Sequence, residues 1–295
     1  MSKTKLKHAS YSVKKLLDKS RLAYESHANY QKVLQLCVKN LAELGYHLDN
    51  INQLKQKHVY SLVNYWQDQS LNTATIKNRM SALRLACKLL GKRNVTKSNN
   101  YYAIGNRSYI PEKNKALLNI ELNKISDPYV KTSLQLQQMF GLRREESLKI
   151  IPKLTDKGEH IELQASWTKG GVPRSIPIVS QAQQICLNRA KTLCGESSLI
   201  PQNKSYIEQR NLYDRITHKA GLYNLHGLRH AYAQKRYWQL TNKMTNGHGW
   251  AAPIAGGKSK AEMAKSEIDI DKKAREIISR ELGHSRIKIS KIYLA

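Results

Sequence analysis

Apolar residues recur at helical spacing through the first third of the chain. The stretch YQKVLQLCVKNLAELG has an apolar residue every three or four positions and stops at Gly45. The stretches VYSLVNYWQDQ and TATIKNRMSALRLACKLLGK show the same spacing. The second of these should turn the following apolar side chains towards a core: Ile76, Met80, Leu83 and Leu90. The pattern predicts helices over residues 12–94 and a helical N-terminal domain over residues 1–94.

The helical spacing stops in KSNNYYAIGNRSYIPEKNK, a stretch that contains Asn, Gly, Ser and Pro. We therefore predict a linker over residues 95–113 and a second domain over residues 114–295. The second domain should open with a helix that starts at Ser126 or Asp127, has Pro128 in its first position and ends near Gly141.

Two short stretches in the second domain predict β-structure. GEHIELQAS alternates polar and apolar residues, VPRSIPIV is a second extended run, and WTKGG lies between them with Gly170 and Gly171 as turn formers. A β-hairpin or three-stranded sheet is expected here, and helices from SQAQQICLNRAKTL onward. Residues 241–271 are rich in Gly, Asn, Ala and Ser, which indicates an inserted, partly mobile loop with a short helix around KAEMAKS. The predicted fold class is mainly α with a small β-sheet.

The net charge of the chain limits the classes of partner that we expect it to bind. The 295 residues carry a formal net charge of +28, which favours a polyanionic partner, either nucleic acid or an anionic membrane surface. No run of about 18 apolar residues and no apolar leader segment occurs, so neither a membrane span nor a signal peptide is expected. The four cysteines form no CxxC pair, which is typical of reduced thiols in the cytoplasm.

One predicted helix of the first domain and the residues just after it have seven basic residues and no acid. Such a face either is simply solvated or contacts phosphates. We expect DNA contacts from six of these residues: Lys77, Arg79, Arg84, Lys88, Lys92 and Arg93.

Four clusters in the second domain could carry chemistry. GLRREESL contains Arg143 and Glu146, TKGG contains Lys169, LHGLRHAYAQ contains His226 and Arg229, and ELGHSRIKISKIYLA contains His284 and Tyr293. Each cluster has an ordinary explanation. Arg143 and Glu146 can form a surface pair, and Lys169 can be one more turn lysine. What carries weight is the order and spacing of the four clusters together.

In this order and spacing the chain resembles the tyrosine recombinases, the family of phage and mobile-element integrases. Members show G-L-R-x-x-E, a turn lysine between two strands, H-x-L-R-H, L-G-H-S and a tyrosine nine residues after that last histidine. This chain has GLRREE, TKGG, HGLRH, LGHS and KIY in the same order. The resemblance spans about residues 141–293, and the helical N-terminal part is similar in kind to the family's DNA-clamping (SAM-like) domain.

The resemblance implies a metal-free and cofactor-free cleavage of DNA. Tyr293 would attack the scissile phosphate, Arg143 and Arg229 would bind its non-bridging oxygens, and Lys169 would protonate the leaving 5′-oxygen. His226 would act on the tyrosine proton, His284 would hydrogen-bond the phosphate and Glu146 would orient an arginine. Arg144 is an alternative to Arg143, which we prefer because it directly follows Gly-Leu.

The implied protein is a site-specific recombinase of a phage, genomic island or other mobile element. Its expected partners are double-stranded DNA, further copies of itself as a tetramer on DNA, and DNA-bending accessory proteins. A type IB topoisomerase or hairpin resolvase, and a DNA-binding regulator without catalysis, are the alternatives. Two departures from the family are the separation of 55 positions from Arg229 to His284, and the two residues that follow Tyr293 where relatives continue with a helix that docks on a neighbouring subunit. These departures leave open how subunits are linked.

Overall fold

The computed structural model describes residues 3–295 and divides the chain into two compact units. The first unit ends at Ser108 and the second begins at Tyr109, a division that falls within residues 95–113. Within the described range, the helices are too short or too polar to cross a membrane.

Within residues 3–108, the first unit is a bundle of four helices around one apolar core. Its helices are α1 (Lys3–Leu17), α2 (Tyr24–Glu43), α3 (Gln56–Asp68) and α4 (Thr73–Leu89). Trp66 is fully buried in this core, and its indole N–H donates to the side chain of Asn40 over 3.1 Å. The helical spacing predicted α2, α3 and α4, whereas α1 begins at Lys3, nine residues before the predicted helical region of 12–94. Of the four predicted core residues of α4, Leu90 is only partly buried, because the helix ends one residue before it.

Part of the predicted linker belongs to the core of the first unit. Tyr102 and Ile104 are buried there, and a short 3₁₀ turn spans Asn100–Tyr102. The hydroxyl of Tyr102 accepts from the backbone N–H of Lys97 over 3.1 Å, and its carbonyl accepts from the side chain of Gln67. The missing helical period therefore reflects an irregular but packed segment.

The second unit contains eight helices and a two-stranded sheet within the described residues. In chain order they are α5 (Pro128–Phe140), α6 (Arg144–Lys149), α7 (Pro152–Thr155), β1 (His160–Leu163), β2 (Arg174–Pro177), α8 (Gln181–Cys194), α9 (Tyr206–Lys219), α10 (Gly227–Met244), α11 (Lys265–Glu281) and α12 (Lys291–Leu294). Helix α5 is central, because it packs against α6, α8 and α10.

Helix α5 has the start and the end that its sequence predicts. The Asp127 carboxylate accepts from the backbone N–H of Val130 over 2.9 Å, and Pro128 occupies the first turn. At the other end Gly141 adopts a left-handed conformation with φ of +61°. A Cβ at Gly141 would lie 2.5 Å from the ring of Tyr232, so glycine is required here for space as well as for conformation.

The sheet is a single antiparallel hairpin. Ile161 of β1 lies opposite Ile176 of β2, and both are buried, while Glu162 and Ser175 form an exposed pair. No third strand joins them within residues 3–295. The connection contains the predicted glycine turn, in which Gly170 and Gly171 both have positive φ.

The segment 241–271 is more ordered than its composition indicates. Residues 241–244 complete α10 and residues 265–271 begin α11, so the irregular connection covers only residues 245–264. The predicted short helix around KAEMAKS is wrong. The helix starts at Lys265, because the Glu267 carboxylate accepts from the backbone N–H of Ala264 and fixes the first turn.

Gly141→Ala should destabilise the second unit by about 3 kcal/mol, from a left-handed alanine and from the contact with Tyr232. Gly221→Ala is the matched control, because Gly221 also has positive φ (+72°) but has open space around it, so it should cost about 1 kcal/mol. Chemical denaturation followed by tryptophan fluorescence measures both, since three of the four tryptophans lie in the second unit. Equal losses would show that the Tyr232 contact does not constrain Gly141.

Candidate active site

Arg229, on the first turn of α10, is the buried centre of the candidate site. Its side chain is only 1% exposed. One terminal nitrogen, Nη1, donates to the carbonyl of Gly141 over 2.5 Å, and Nη2 donates to the carbonyl of Leu282. These carbonyls lie at the C-terminal ends of α5 and α11, where unpaired helix carbonyls carry partial negative charge. The two helix ends therefore supply hydrogen-bond acceptors for a buried cation.

Tyr293 lies directly against this guanidinium. The Nε–H of Arg229 donates to the Tyr293 hydroxyl oxygen over 3.3 Å. The tyrosine ring is 4% exposed, and its centroid lies 4.6 Å from that of His230, 5.6 Å from that of His284 and 6.2 Å from that of His226. Helix α12 thus places the one tyrosine of the LGHS…Y motif among three histidines and an arginine.

Glu146, on α6, is a buried carboxylate that holds two arginines. Arg174 of β2 donates through Nη1 and Nη2 to its two oxygens, over 2.9 and 2.7 Å. Arg143 donates through its backbone N–H and through Nη1, each over 2.7 Å. Arg229 is also near, with its Nη1 4.0 Å from Oε2. One carboxylate therefore balances part of the charge of three guanidiniums.

These contacts fix the charge states of the site. Burial by itself would raise the pKa of Glu146, but the hydrogen bonds and charge of Arg174, together with Arg143, lower it to about 2. Burial lowers the pKa of Arg229 to about 10, despite the nearby Tyr293 hydroxyl and Glu146. At neutral pH Glu146 is therefore an anion and Arg229 is still a cation.

The three histidines around Tyr293 are neutral at pH 7. Loss of water contact and the positive charges of Arg229 and Arg143 lower the pKa of His284 to about 3. The same causes lower the pKa of His226. Burial, followed by neighbouring His226 and Lys115, lowers the pKa of His230 to about 4. Neutral imidazoles each carry one nitrogen that can accept a proton.

Two residues of the cluster were missed by the sequence analysis, Arg174 and His230. His230 is buried, packs on the Tyr293 ring, and its Nδ1 has no hydrogen-bond partner among the described residues. Both had a signal. His230 closes the HGLRH motif, and alternation along β2 places Arg174 on the same inward face as Ile176.

Six of the predicted site residues are brought together by the structure, and they are Arg143, Glu146, His226, Arg229, His284 and Tyr293. Lys169 is not brought into this cluster. It is exposed in the turn at 168–171, and none of the hydrogen bonds or ion pairs found among the described residues involves its side chain. Arg144, the alternative to Arg143, pairs instead with Asp214 over 2.6 Å.

The six predicted DNA-contacting residues of the first unit fall into two groups. Arg79 lies over the Trp66 ring, Arg84 donates to the carbonyl of Lys97 and the side chain of Asn99, and Lys92 donates to the carbonyl of Leu54. These three help to hold their own unit together. Lys88 and Arg93 are exposed and Lys77 is half-buried.

Within residues 3–295 no three His, Cys, Asp or Glu side chains lie close enough together to hold a metal ion. The cluster itself offers three kinds of group: two arginines, Arg143 and Arg229, that can bind a substrate anion, several neutral imidazoles, and a tyrosine hydroxyl.

Comparison with known families identifies the class of protein to which this fold and site belong. The family "Phage integrase, N-terminal" matches residues 6–96 and the family "Integrase" matches residues 99–235, so the two matches together cover most of the chain. The chain belongs to the tyrosine recombinase, or phage-type integrase, family. A search of curated protein sequences found no match.

Solved structures agree with this assignment at the level of the fold. A lambda integrase fragment, solved as a dimer bound to a COC′ core site, is 15% identical, with a TM-score of 0.58 and coverage of 96% of this chain and 92% of that one. XerH recombinase bound to palindromic difH is 18% identical, with a TM-score of 0.58 and coverage of 97% and 81%. The Tn1549 transposon integrase with circular intermediate DNA is 13% identical, with a TM-score of 0.53 and coverage of 96% and 95%.

Glu146→Gln should lower the free energy of unfolding of the second unit by about 3–5 kcal/mol, because it removes the anion from among buried guanidiniums. Glu145→Gln is a matched control one residue away. Glu145 is half-buried and its ion pair is with Lys149 at the edge of the helix, so this change should cost less than about 1 kcal/mol. Chemical denaturation at pH 7 measures both variants. Similar losses would show that the Glu146 network does not stabilise the fold.

Proposed function

We propose that this protein is a site-specific DNA recombinase, encoded by a phage, genomic island or other mobile element, that cuts and rejoins DNA through a 3′-phosphotyrosyl intermediate. The observation that carries the proposal is the contact between the Tyr293 hydroxyl and Arg229 inside a cluster of neutral histidines. Membership of the integrase family supports the same reaction class.

The residues of the cluster fit the charges of the reaction. The Tyr293 oxygen attacks phosphorus, a Tyr293 O–P bond forms, and the bond from phosphorus to the 5′-oxygen breaks. Negative charge grows on the non-bridging oxygens in the transition state, and the guanidiniums of Arg143 and Arg229 stabilise it. Religation reverses these steps with a 5′-hydroxyl, so the bond energy is kept and no nucleotide cofactor is needed.

Two protons move in each direction of the reaction. The proton of Tyr293 goes to His226, whose depressed pKa leaves a nitrogen free to accept it. The leaving 5′-oxygen takes a proton from Lys169, which lies on a turn at the tip of the β1–β2 hairpin. His284 binds a non-bridging oxygen, and His230 supports the Tyr293 ring by direct packing.

The charge distribution supports a polyanionic substrate. With a net charge of +28, the protein binds DNA by releasing many counterions, and exposed Lys88 and Arg93 offer phosphate contacts in the first unit. Lambda integrase, which has the same fold, has been solved as a tetramer on a Holliday junction. We extend such self-association on DNA to this chain, and DNA-bending accessory proteins are further expected partners.

Tyr293→Phe should abolish covalent attachment to DNA while leaving DNA affinity nearly unchanged, because only the nucleophilic oxygen is lost. The substrate is a pool of short nicked duplexes with randomised sequence, from which the fragment carrying the new 5′-hydroxyl diffuses away and traps the adduct. Adducts that survive denaturant are recovered and sequenced. Tyr223→Phe is the control, since Tyr223 is exposed and should leave adduct formation intact.

Adduct formation by Tyr293→Phe would place the nucleophile elsewhere, and no adduct with the unaltered protein would overturn the proposed function. The recovered sequence then serves as a target site. Exchange of strands between two such sites, rather than relaxation of supercoils alone, separates a recombinase from a type IB topoisomerase.

Lys169→Ala should slow cleavage about a hundredfold or more, because it removes the proton donor to the 5′-oxygen. A substrate with sulfur at the 5′ bridging position should restore most of the rate, since a thiolate leaves without a proton. Single-turnover cleavage of the oxygen and sulfur substrates measures the rescue. If sulfur speeds the variant no more than it speeds the unaltered protein, Lys169 serves only to bind phosphate.

A further inference from the structure

Tyr293 lies on α12, a helix that is too short to be stable on its own. Helix α12 has a single turn, Lys291–Leu294, closed by the backbone N–H of Ala295 donating to the carbonyl of Lys291. A single turn is unstable on its own, because forming it fixes several residues for one hydrogen bond. Its last carbonyls also have no partner within the helix. The position of Tyr293 must therefore be set by groups outside α12.

Gln234 of α10 supplies the first of these groups. Its amide nitrogen donates to the carbonyl of Tyr293 over 3.1 Å. The same amide exchanges two hydrogen bonds with the side chain of Asn114, over 2.8 and 3.1 Å, and Gln234 is 8% exposed. The buried amide is therefore held in one orientation by Asn114, which lies near the start of the second unit.

Arg275 of α11 supplies the second group. Its Nη2 donates to the carbonyl of Ala295 over 2.9 Å, while its Nε donates to both oxygens of Asp271, over 2.7 and 2.9 Å. Asp271 also accepts from the Tyr237 hydroxyl over 2.6 Å, and that hydroxyl oxygen accepts from the indole N–H of Trp250 over 3.1 Å. A continuous chain of hydrogen bonds thus runs from residues 245–264 to the end of α12.

The connection at 245–264 also packs on α12 directly. Its 3₁₀ turn, Pro253–Ala255, contacts α12. Ala252 is buried in the same apolar cluster as Tyr293 and Leu294, and Trp250 and Ile254 pack against that cluster. The extra residues between Arg229 and His284 are therefore part of the support of the tyrosine within its own chain.

We propose that Gln234 and Arg275 are positioning residues for Tyr293, and that the connection 245–264 holds Arg275 in place through Trp250, Tyr237 and Asp271. The inference rests on the proposed function for its catalytic consequence. Gln234 and Arg275 bind the carbonyls of Tyr293 and Ala295 on either side of Leu294, so together they fix the rotation of the turn and the direction of the tyrosine hydroxyl.

The test is a set of single substitutions assayed on the DNA site recovered with the unaltered protein. Gln234→Leu and Arg275→Met remove the two donors. Gln239→Leu is the matched control, because Gln239 lies on the same helix and none of the hydrogen bonds found among the described residues uses its side chain. Arg275→Lys keeps a charged donor and should recover part of the rate.

The expected result is a split between catalysis and binding. Adduct formation at saturating DNA should slow by about tenfold to a hundredfold in Gln234→Leu and Arg275→Met, as misplacement of a reacting group by about 1 Å does. The dissociation constant for DNA should stay within about threefold, because neither side chain is part of the proposed phosphate site. A loss of affinity with an unchanged rate at saturation would overturn the inference.

A substitution of Asn114 should leave the fold intact, because this residue is exposed. Asn114→Ala should slow adduct formation in the unaltered background, and should add little to Gln234→Leu, because both changes act through one hydrogen bond to Tyr293. Full additivity of the two changes would contradict a shared path.

Hydrogen exchange at the Ala295 amide separates the two proposals. This amide closes α12, so its exchange should speed up in Gln234→Leu and Arg275→Met and stay unchanged in Gln239→Leu. If the unaltered protein forms no adduct, the proposed function is wrong, and the exchange rates still decide whether the two residues hold this turn. Unchanged exchange in both variants would overturn the inference independently of activity.

Discussion

The site depends on one carboxylate, that of Glu146, placed where three guanidiniums would otherwise repel each other. Arg174 and Arg143 bind it directly, and Arg229 lies 4.0 Å away. Burying several cations together costs free energy of desolvation, and hydrogen bonds alone do not offset that cost. An anion buried among the cations does offset it. Because Glu146 is on α6, Arg174 on β2 and Arg229 on α10, the same charge also ties the hairpin and the two helices to one point. The tyrosine site is built on this electrostatic centre.

Much of the fold was readable from the sequence, for physical reasons that are local. Helix α5 begins and ends where its capping residue and its glycine predict, since Asp127 and Gly141 act on adjacent backbone groups, and α2 ends just before the predicted stop at Gly45. The grouping of Arg143, Arg229, His284 and Tyr293 was predictable from motif order. Their contact partners were not, because the carbonyls of Gly141 and Leu282 become acceptors for Arg229 only when distant helix ends meet.

The failures of prediction come from tertiary packing that local composition does not encode. A glycine-rich stretch indicates a loose loop, yet Trp250 and Ala252 find partners on α10 and α12 and make the connection part of the core. Tyr102 does the same for the predicted linker. Arg174 was overlooked because a buried arginine is rare. Alternation in β2 did mark its face, but only the position of Glu146 explains why that face tolerates a charge.

The β1–β2 hairpin combines two strands whose register is fixed with a turn whose length the register does not fix. A strand has a period of two, so a slip of one residue would move Arg174 from the inner face to solvent and strip Glu146 of its bidentate partner. The strand register is thus locked by charge as well as by Ile161 and Ile176. The turn beyond it, which carries Lys169, is under no such lock. An engineered turn of another length or direction would leave the arginine centre in place, provided that it still presents a lysine for the proposed proton transfer.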